Sequence, residues 1–214
     1  MISHKGREQS SLTISAAKIE PLSALLKRNK KHLEYQHTEQ LIECIGRQLQ
    51  LLERENKGIS GFNIDDITVF HDDAGDDDDA GDGNETKKMY FAITNDDKIH
   101  DINDDHKLEI NAPYPKEYTE PVAATKNKAF HSPEMKEFIS KKRLPYQIHF
   151  KSGYYSFGLL CVYCYVSRAG ASASASDNKD DYTTILAPII NTKIYWFLKQ
   201  VLQENPMERR YICV

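Results

Sequence analysis

Residues 151–167 read KSGYYSFGLLCVYCYVS, and the folding of this stretch decides the rest. It is apolar on every side rather than along one stripe, the mark of a helix buried inside a domain. From Phe157 to Val166 the apolar run lasts ten residues, well short of the roughly 20 needed to span a bilayer. A fully buried strand is the rival reading, since Tyr, Val and Cys also suit strands. The neighbouring sequence favours the helix. Upstream stands Phe130-His131-Ser132-Pro133-Glu134, and near the C-terminus Asn205-Pro206-Met207-Glu208-Arg209.

In this order the three pieces resemble the C-terminal lobe of a eukaryotic-type protein kinase. There the activation segment ends in Ala-Pro-Glu, a central buried helix opens Asp-x-Trp-Ser-x-Gly, and a last helix finishes in Asp-Pro-x-x-Arg. The counterparts here are Ser132-Pro133-Glu134, Gly153-Tyr154-Tyr155-Ser156-Phe157-Gly158 and Asn205-Pro206-x-x-Arg209. The resemblance implies a mainly α fold with a small β-hairpin, a kinase-like C-lobe without its small lobe. It is expected over residues 18–214, behind a disordered tail at 1–17. Two inserts are expected, one acidic at about 71–88 and one Ser/Ala-rich at 168–182. Stripped, Lys/Asn/Asp-rich chains of this kind resemble the kinase-like proteins of large DNA viruses.

At 214 residues with 40% hydrophobic side chains, the chain suits one domain with an adequate core. A net charge of -4, with no basic stripe interleaved with aromatics, gives no nucleic-acid footprint. No segment has the length of a membrane span and the N-terminus lacks a signal-peptide core, so a cytoplasmic chain (host cytoplasm or virion, if viral) is expected. Cysteines 44, 161, 164 and 213 do not form a secreted disulfide framework. Cys161-x-x-Cys164, on a buried helix, reads as small apolar filling rather than a ligand pair.

Along the chain, Ile19 to Tyr35 reads as a short amphipathic helix on a basic surface, with Lys27–Lys31 a solvated face. Thr38 reads as the N-cap of the best helix, carrying Leu41, Ile42, Ile45, Leu49 and Leu52, with Gly58 its stop. Ile59 to Phe70 reads as a loop entering a short strand, and Met89 to Thr94 as its hairpin partner. Asn95 to Glu120 is expected to be irregular, as is the loop Lys141–His149. A short helix is expected over Met135–Ser140. Asn191 is expected to cap a last helix whose face is Ile194, Phe197, Leu198, Val201 and Leu202, stopped by Asn205-Pro206.

The resemblance also says what catalysis would need. A kinase uses backbone amides and a lysine for the phosphates, an Asp for the substrate hydroxyl, and Asn and Asp for magnesium. The part ahead of the long helix is too short for a small lobe and has no Gly-rich strand pair. Anchoring Asp66-Ile67-Thr68 on the family's Asn-Ile-Leu places Gly61 at the catalytic Asp position. Asn95-Asp96-Asp97 stands where Asp-Phe-Gly belongs, and Gly153 replaces the Asp that would brace the catalytic loop. Asp66 and Asp96 are the weak metal candidates. The acidic run's nearest approach to a calcium loop, starting at Asp78, has Ala80 and Met89 at ligand positions and is a poor site.

What the resemblance retains is structural: Glu134 and Arg209 as a staple, with Pro133, Ser156 and Gly158 around it. The expected function is a catalytically inactive, pseudokinase-type interaction or regulatory module. No catalytic residue and no cofactor is assigned. A protein partner, or an oligomer covering the face the small lobe would meet, is expected, with no nucleic acid and no membrane. The alternative is half of a split kinase, using ATP and magnesium with a small lobe from another chain. That face's apolar residues should be exposed or occluded by the N-terminal segment.

Overall fold

The computed structural model describes residues 16–29, 32–72, 88–113, 129–166 and 186–211. The expected tail, the Ser/Ala-rich insert and Asp78 fall outside these, apart from Ala16 and Ala17, and so does most of the acidic insert.

The stretch at 151–167 forms helix α4, Ser152–Val166. Phe157, Leu160, Cys161 and Cys164 are fully buried in it. Around it lie the other helices: α1 (Leu22–Arg28), α2 (Tyr35–Arg54), α3 (Pro133–Lys141) and α5 (Lys193–Val201). Helix α2 lays Leu41, Ile45 and Leu49 into the same core, and α5 lays Ile194, Phe197, Leu198 and Val201. The close approach of α5 to α4 requires Gly158, because a Cβ there would stand 2.7 Å from Val201 Cγ2.

The strands depart from expectation. A three-stranded antiparallel sheet runs β1 (Lys18–Pro21), β4 (Ile67–His71), β5 (Met89–Ile93), with β4 in the centre. The hairpin β4–β5 sits where the sequence places it, pairing Ile67 with Ile93 and His71 with Met89. Three further antiparallel pairs exist: β2 (Lys57–Ile59) with β6 (Ile99–Asp101), β3 (Phe62–Asn63) with β8 (Ala129–Phe130), and β7 (Lys107–Ile110) with β9 (Tyr146–His149).

The described residues are about 48% helical and 22% strand. The architecture is an α+β mix, and the expected mainly helical, protein-kinase-like C-lobe with one hairpin is corrected accordingly. The physical reason lies in the segments read as irregular. Leu108 and Ile110 alternate with Lys107 and Glu109, and pair with Ile148 and Tyr146 far along the chain. No short turn joins these strands, so no hairpin signal marked them. With Met135 and Phe138 of α3 they make a second, small core.

Several boundaries also move. Pro21 ends β1 and precedes α1, splitting the helix expected over 19–35. Leu33 instead packs as a buried residue whose N–H donates to Cys164 O at 2.7 Å. Helix α2 begins one turn before Thr38, whose hydroxyl donates to Glu34 O at 3.0 Å. It ends before Asn56, which takes φ 55 and turns the chain into β2, where Gly58 lies. Thr192 rather than Asn191 caps α5, accepting from Tyr195 N at 3.1 Å, while Asn191 adopts φ 71. Among the described residues no helix is long and apolar enough to cross a membrane.

Helix α2 also closes the outer edge of β5. Gln48 donates through Nε2 to Phe91 O at 2.8 Å and accepts from Ile93 N at 2.9 Å. Gln40 accepts from Met89 N at 3.3 Å. Amide side chains thus meet backbone groups that an open edge strand would expose.

The opposite edge is held by Glu20 of β1. Its buried carboxylate accepts from Arg28 Nη1 and Nη2 at 2.9 and 2.6 Å, and lies 3.0 Å from Lys18 Nζ and 2.8 Å from His71 Nε2. Burial favours the neutral acid, but the hydrogen bonds from Arg28, Lys18 and His71 outweigh it and hold the carboxyl down at about 2. Because the folded value is lowered, this stabilisation is present in full above the ordinary value of 4.5 and is lost as pH falls towards about 2. The melting temperature should therefore fall over that window, and fall less in Glu20→Gln. Circular-dichroism melts across acid pH check this; an identical pH dependence in both chains would remove Glu20 as its source.

Candidate functional site

Of the positions the kinase resemblance singles out, Gly61 and Gly153 lie at the first turns of α4, and Asp66 is bound into the fold. Asp66 closes a short 3-10 turn, Ile64–Asp66, and is 4% exposed. Its Oδ2 accepts from Asn63 N at 2.6 Å and from Lys98 Nζ at 2.6 Å, and its Oδ1 accepts from Asn95 Nδ2 at 2.9 Å. Burial pulls the Lys98 ammonium below its ordinary pKa, and the Asp66 carboxylate works against that pull. A cation at Asp66 would have to displace this internal ammonium. Asp96 lies apart, exposed in the loop before β6. Among the described residues no cluster of three or more His, Cys, Asp or Glu is suited to a metal.

The pairing with Lys98 escaped the sequence reading. Its partners stand 32 residues apart in a polar stretch, and no spacing rule links them. The Asn95 side chain belongs to the same cluster, and Thr94 N donates to Asp66 O at 2.9 Å. Helix α1 and strand β1 pack against the Ile64–Asp66 turn and β4, with Leu22, Leu25 and Leu26 buried. The N-terminal segment therefore covers this part of the molecule.

Gly61 is buried, but a Cβ there would meet Ser156 Oγ at 3.5 Å and Phe130 O at 3.6 Å, ordinary contacts. Gly153 is different. A Cβ there would stand 2.6 Å from the Ile59 carbonyl oxygen, so β2 packs directly on the first turn of α4. The neighbouring hydroxyls make the joints. Ser156 Oγ accepts from Phe62 N at 2.7 Å and donates to Phe130 O, tying the β3–β8 pair to α4. Ser152 Oγ donates to Ser60 O at 3.1 Å and lies 2.6 Å from Ser132 Oγ, which in turn accepts from Met135 N. Ser132 thereby caps α3, with Pro133 in the first turn.

The structure brings Glu134 and Arg209 together. Arg209 Nη2 lies 2.7 Å from Glu134 Oε1, and the arginine is fully buried. The pair meets through one oxygen rather than two; Glu134 Oε2 makes no hydrogen bond among the described residues. Arg209 also donates from Nε to Gln203 O at 2.7 Å, from Nη1 to Lys151 O at 3.3 Å and from Nη2 to Glu204 O at 2.8 Å. Its guanidinium sits 4.8 Å from the centre of the Tyr155 ring. One side chain thus joins α3, the start of α4 and the turn after α5.

No family model, no curated protein and no solved structure matches this chain. The kinase resemblance thus rests on its sequence motifs alone.

Arg209→Met should cost about 3–5 kcal/mol of stability, because Glu134 and three carbonyls lose a buried donor. Arg209→Lys should recover only part of that loss, since a compact ammonium cannot serve the same fork of acceptors. Urea unfolding measures both. A cost below about 1 kcal/mol for Arg209→Met would place the pair among ordinary surface bridges. In the same assay Gly153→Asp, which introduces the residue found in the motif it resembles, should destabilise by about 1–3 kcal/mol through overpacking against Ile59.

Proposed function

We propose that this chain is a catalytically inactive interaction module, working by binding a protein partner. The observation that carries the reading is the state of Asp66. Phosphoryl transfer needs acceptor oxygens open to magnesium and a channel to the phosphates. Here the carboxylate is buried, donors from Asn63, Asn95 and Lys98 occupy it, and α1 packs on its turn. Gly61 and Gly153 supply no carboxylate at the other two kinase-type positions. The split-kinase alternative would require this cluster to open, and co-expression with a small-lobe polypeptide, followed by a phosphotransfer assay, tests it.

Thermal unfolding of the purified chain with and without millimolar ATP and magnesium tests the reading. A ligand at a hundred times its dissociation constant stabilises the folded state by about 2.7 kcal/mol. We expect the melting temperature to stay where it is. A magnesium-dependent rise would mean that Asp66 exchanges Lys98 for a metal–nucleotide complex, and the non-catalytic reading would fall.

A further inference from the structure

Helix α5 buries one face and leaves the opposite one open. Ile194, Phe197, Leu198 and Val201 are buried, whereas Lys193, Trp196 and Lys199 follow at intervals of three and are exposed. Residues so spaced share one side of a helix. Trp196, the only tryptophan of the chain, is 47% exposed. Its ring is braced by Tyr195 at 5.3 Å between centroids and by the Lys199 ammonium at 5.1 Å. Ile190, just ahead of the helix, is 52% exposed. Lys193 also lines a groove of about 380 Å³ between α5 and α2, whose apolar floor is Ile42, Ile194 and Phe197. The groove's α2 wall carries Glu39, Glu43 and Arg47, of which Glu43 pairs with Arg47 at 2.5 Å.

We propose that this face of α5 is the docking surface for an acidic polypeptide segment carrying a large apolar side chain. The proposal deepens the interaction-module reading and rests on it. Exposed tryptophan supplies large contact area at little entropic cost and dominates interface energetics when covered. The two lysines beside it form a positive stripe on a chain of net charge -4, and neither has a carboxylate partner among the described ion pairs. Carboxylates on the partner meet the outward Lys193 and Lys199 rather than the α2 wall with its Glu39 and Glu43, while its apolar side chain covers Trp196 and reaches the groove floor. A groove of this size falls within the usual range for one inserted side chain or small ligand. Charge selects this occupant over the others. A second copy docked about a twofold axis would set lysines against lysines. An anionic membrane is held by clusters of about four to eight basic residues, and this face has two.

The single tryptophan makes the test direct. In the free chain, iodide should quench Trp196 fluorescence; protection would show that the chain covers its own surface and would overturn the proposal. Random peptides displayed on phage and panned on the intact chain should yield sequences rich in Asp and Glu around a large apolar residue. A synthetic copy of an enriched peptide should shift Trp196 emission to shorter wavelength. Its affinity, read by titration calorimetry because Trp196 is the sole tryptophan, should fall at least about tenfold, which is roughly 1.4 kcal/mol, in the Lys193→Glu/Lys199→Glu double variant and in Trp196→Ala. No enrichment, enrichment without acidic residues, or binding that leaves the emission unmoved would overturn the assignment. So would an emission shift driven by phosphatidylserine vesicles or by the concentration of the chain alone. The ATP measurement is independent of these, so failure here leaves the non-catalytic reading to its own test.

Discussion

A helix with no polar face favours cover on most of its sides, and this requirement organises the molecule, although Leu159, Val162, Tyr163 and Tyr165 of α4 stay half-buried. Helix α4 is covered by α2 and α5 along its length, by the β3–β8 pair, and by β2 at its first turn. Two of its glycines lie where neighbours come closest: Gly153 against the Ile59 carbonyl and Gly158 against Val201 and Leu202. Its polar groups are concentrated at the N-terminal end, where Ser152 and Ser156 reach three other segments. Such a helix contributes through area removed from water, at about 25 cal/mol per Å². The serines contribute alignment, since each bonds a backbone group of a neighbouring segment.

What the sequence made legible was local. The all-round apolar run of α4, the alternating faces of α2 and α5, and the β4–β5 hairpin each announce themselves within a window of a few turns. Ser132-Pro133-Glu134 carried an N-cap, a first-turn proline and an acidic residue in a row, and α3 starts there. What stayed hidden depends on partners distant in sequence. Strand β7 alternates for only four residues, and its partner β9 lies beyond β8 and α3 and more than thirty residues along the chain. The Asp66–Lys98 pair bridges two polar loops with no periodicity to mark either end. Caps slipped by a residue or a turn because several residues could serve: Thr192 was available beside Asn191, and Thr38 bonds backward into the helix it was expected to start.

The motifs that resemble a kinase divide by the work they do in this fold. Glu134, Arg209, Ser156 and Gly158 hold segments together, and geometry gives each a role without reference to any reaction. The resemblance would set Asp66, Asn95, Gly61 and Gly153 at positions where a reaction needs open acceptors or carboxylates. Two of these four have no side chain to offer. The other two bond to each other, and Asp66 also receives an ammonium. Resemblance in motif therefore extends to mechanical residues, while the described residues form an α+β arrangement with four small sheets.

The proposed binding role and catalysis would make different energetic demands on the two sites. Freeing Asp66 for a metal would break a buried ion pair, a loss of about 3–5 kcal/mol when one partner is removed. It would also disturb the leucines of α1 packed on the same turn. Domains of this size have only about 5–15 kcal/mol of net stability, so an open state of that kind would be sparsely populated. Any ligand selecting it would have its affinity reduced by that population. The outward stripe of α5 carries no such cost. Its tryptophan and lysines are already exposed on a helix whose other face is locked into the core, so a partner of the kind proposed would meet them preorganised.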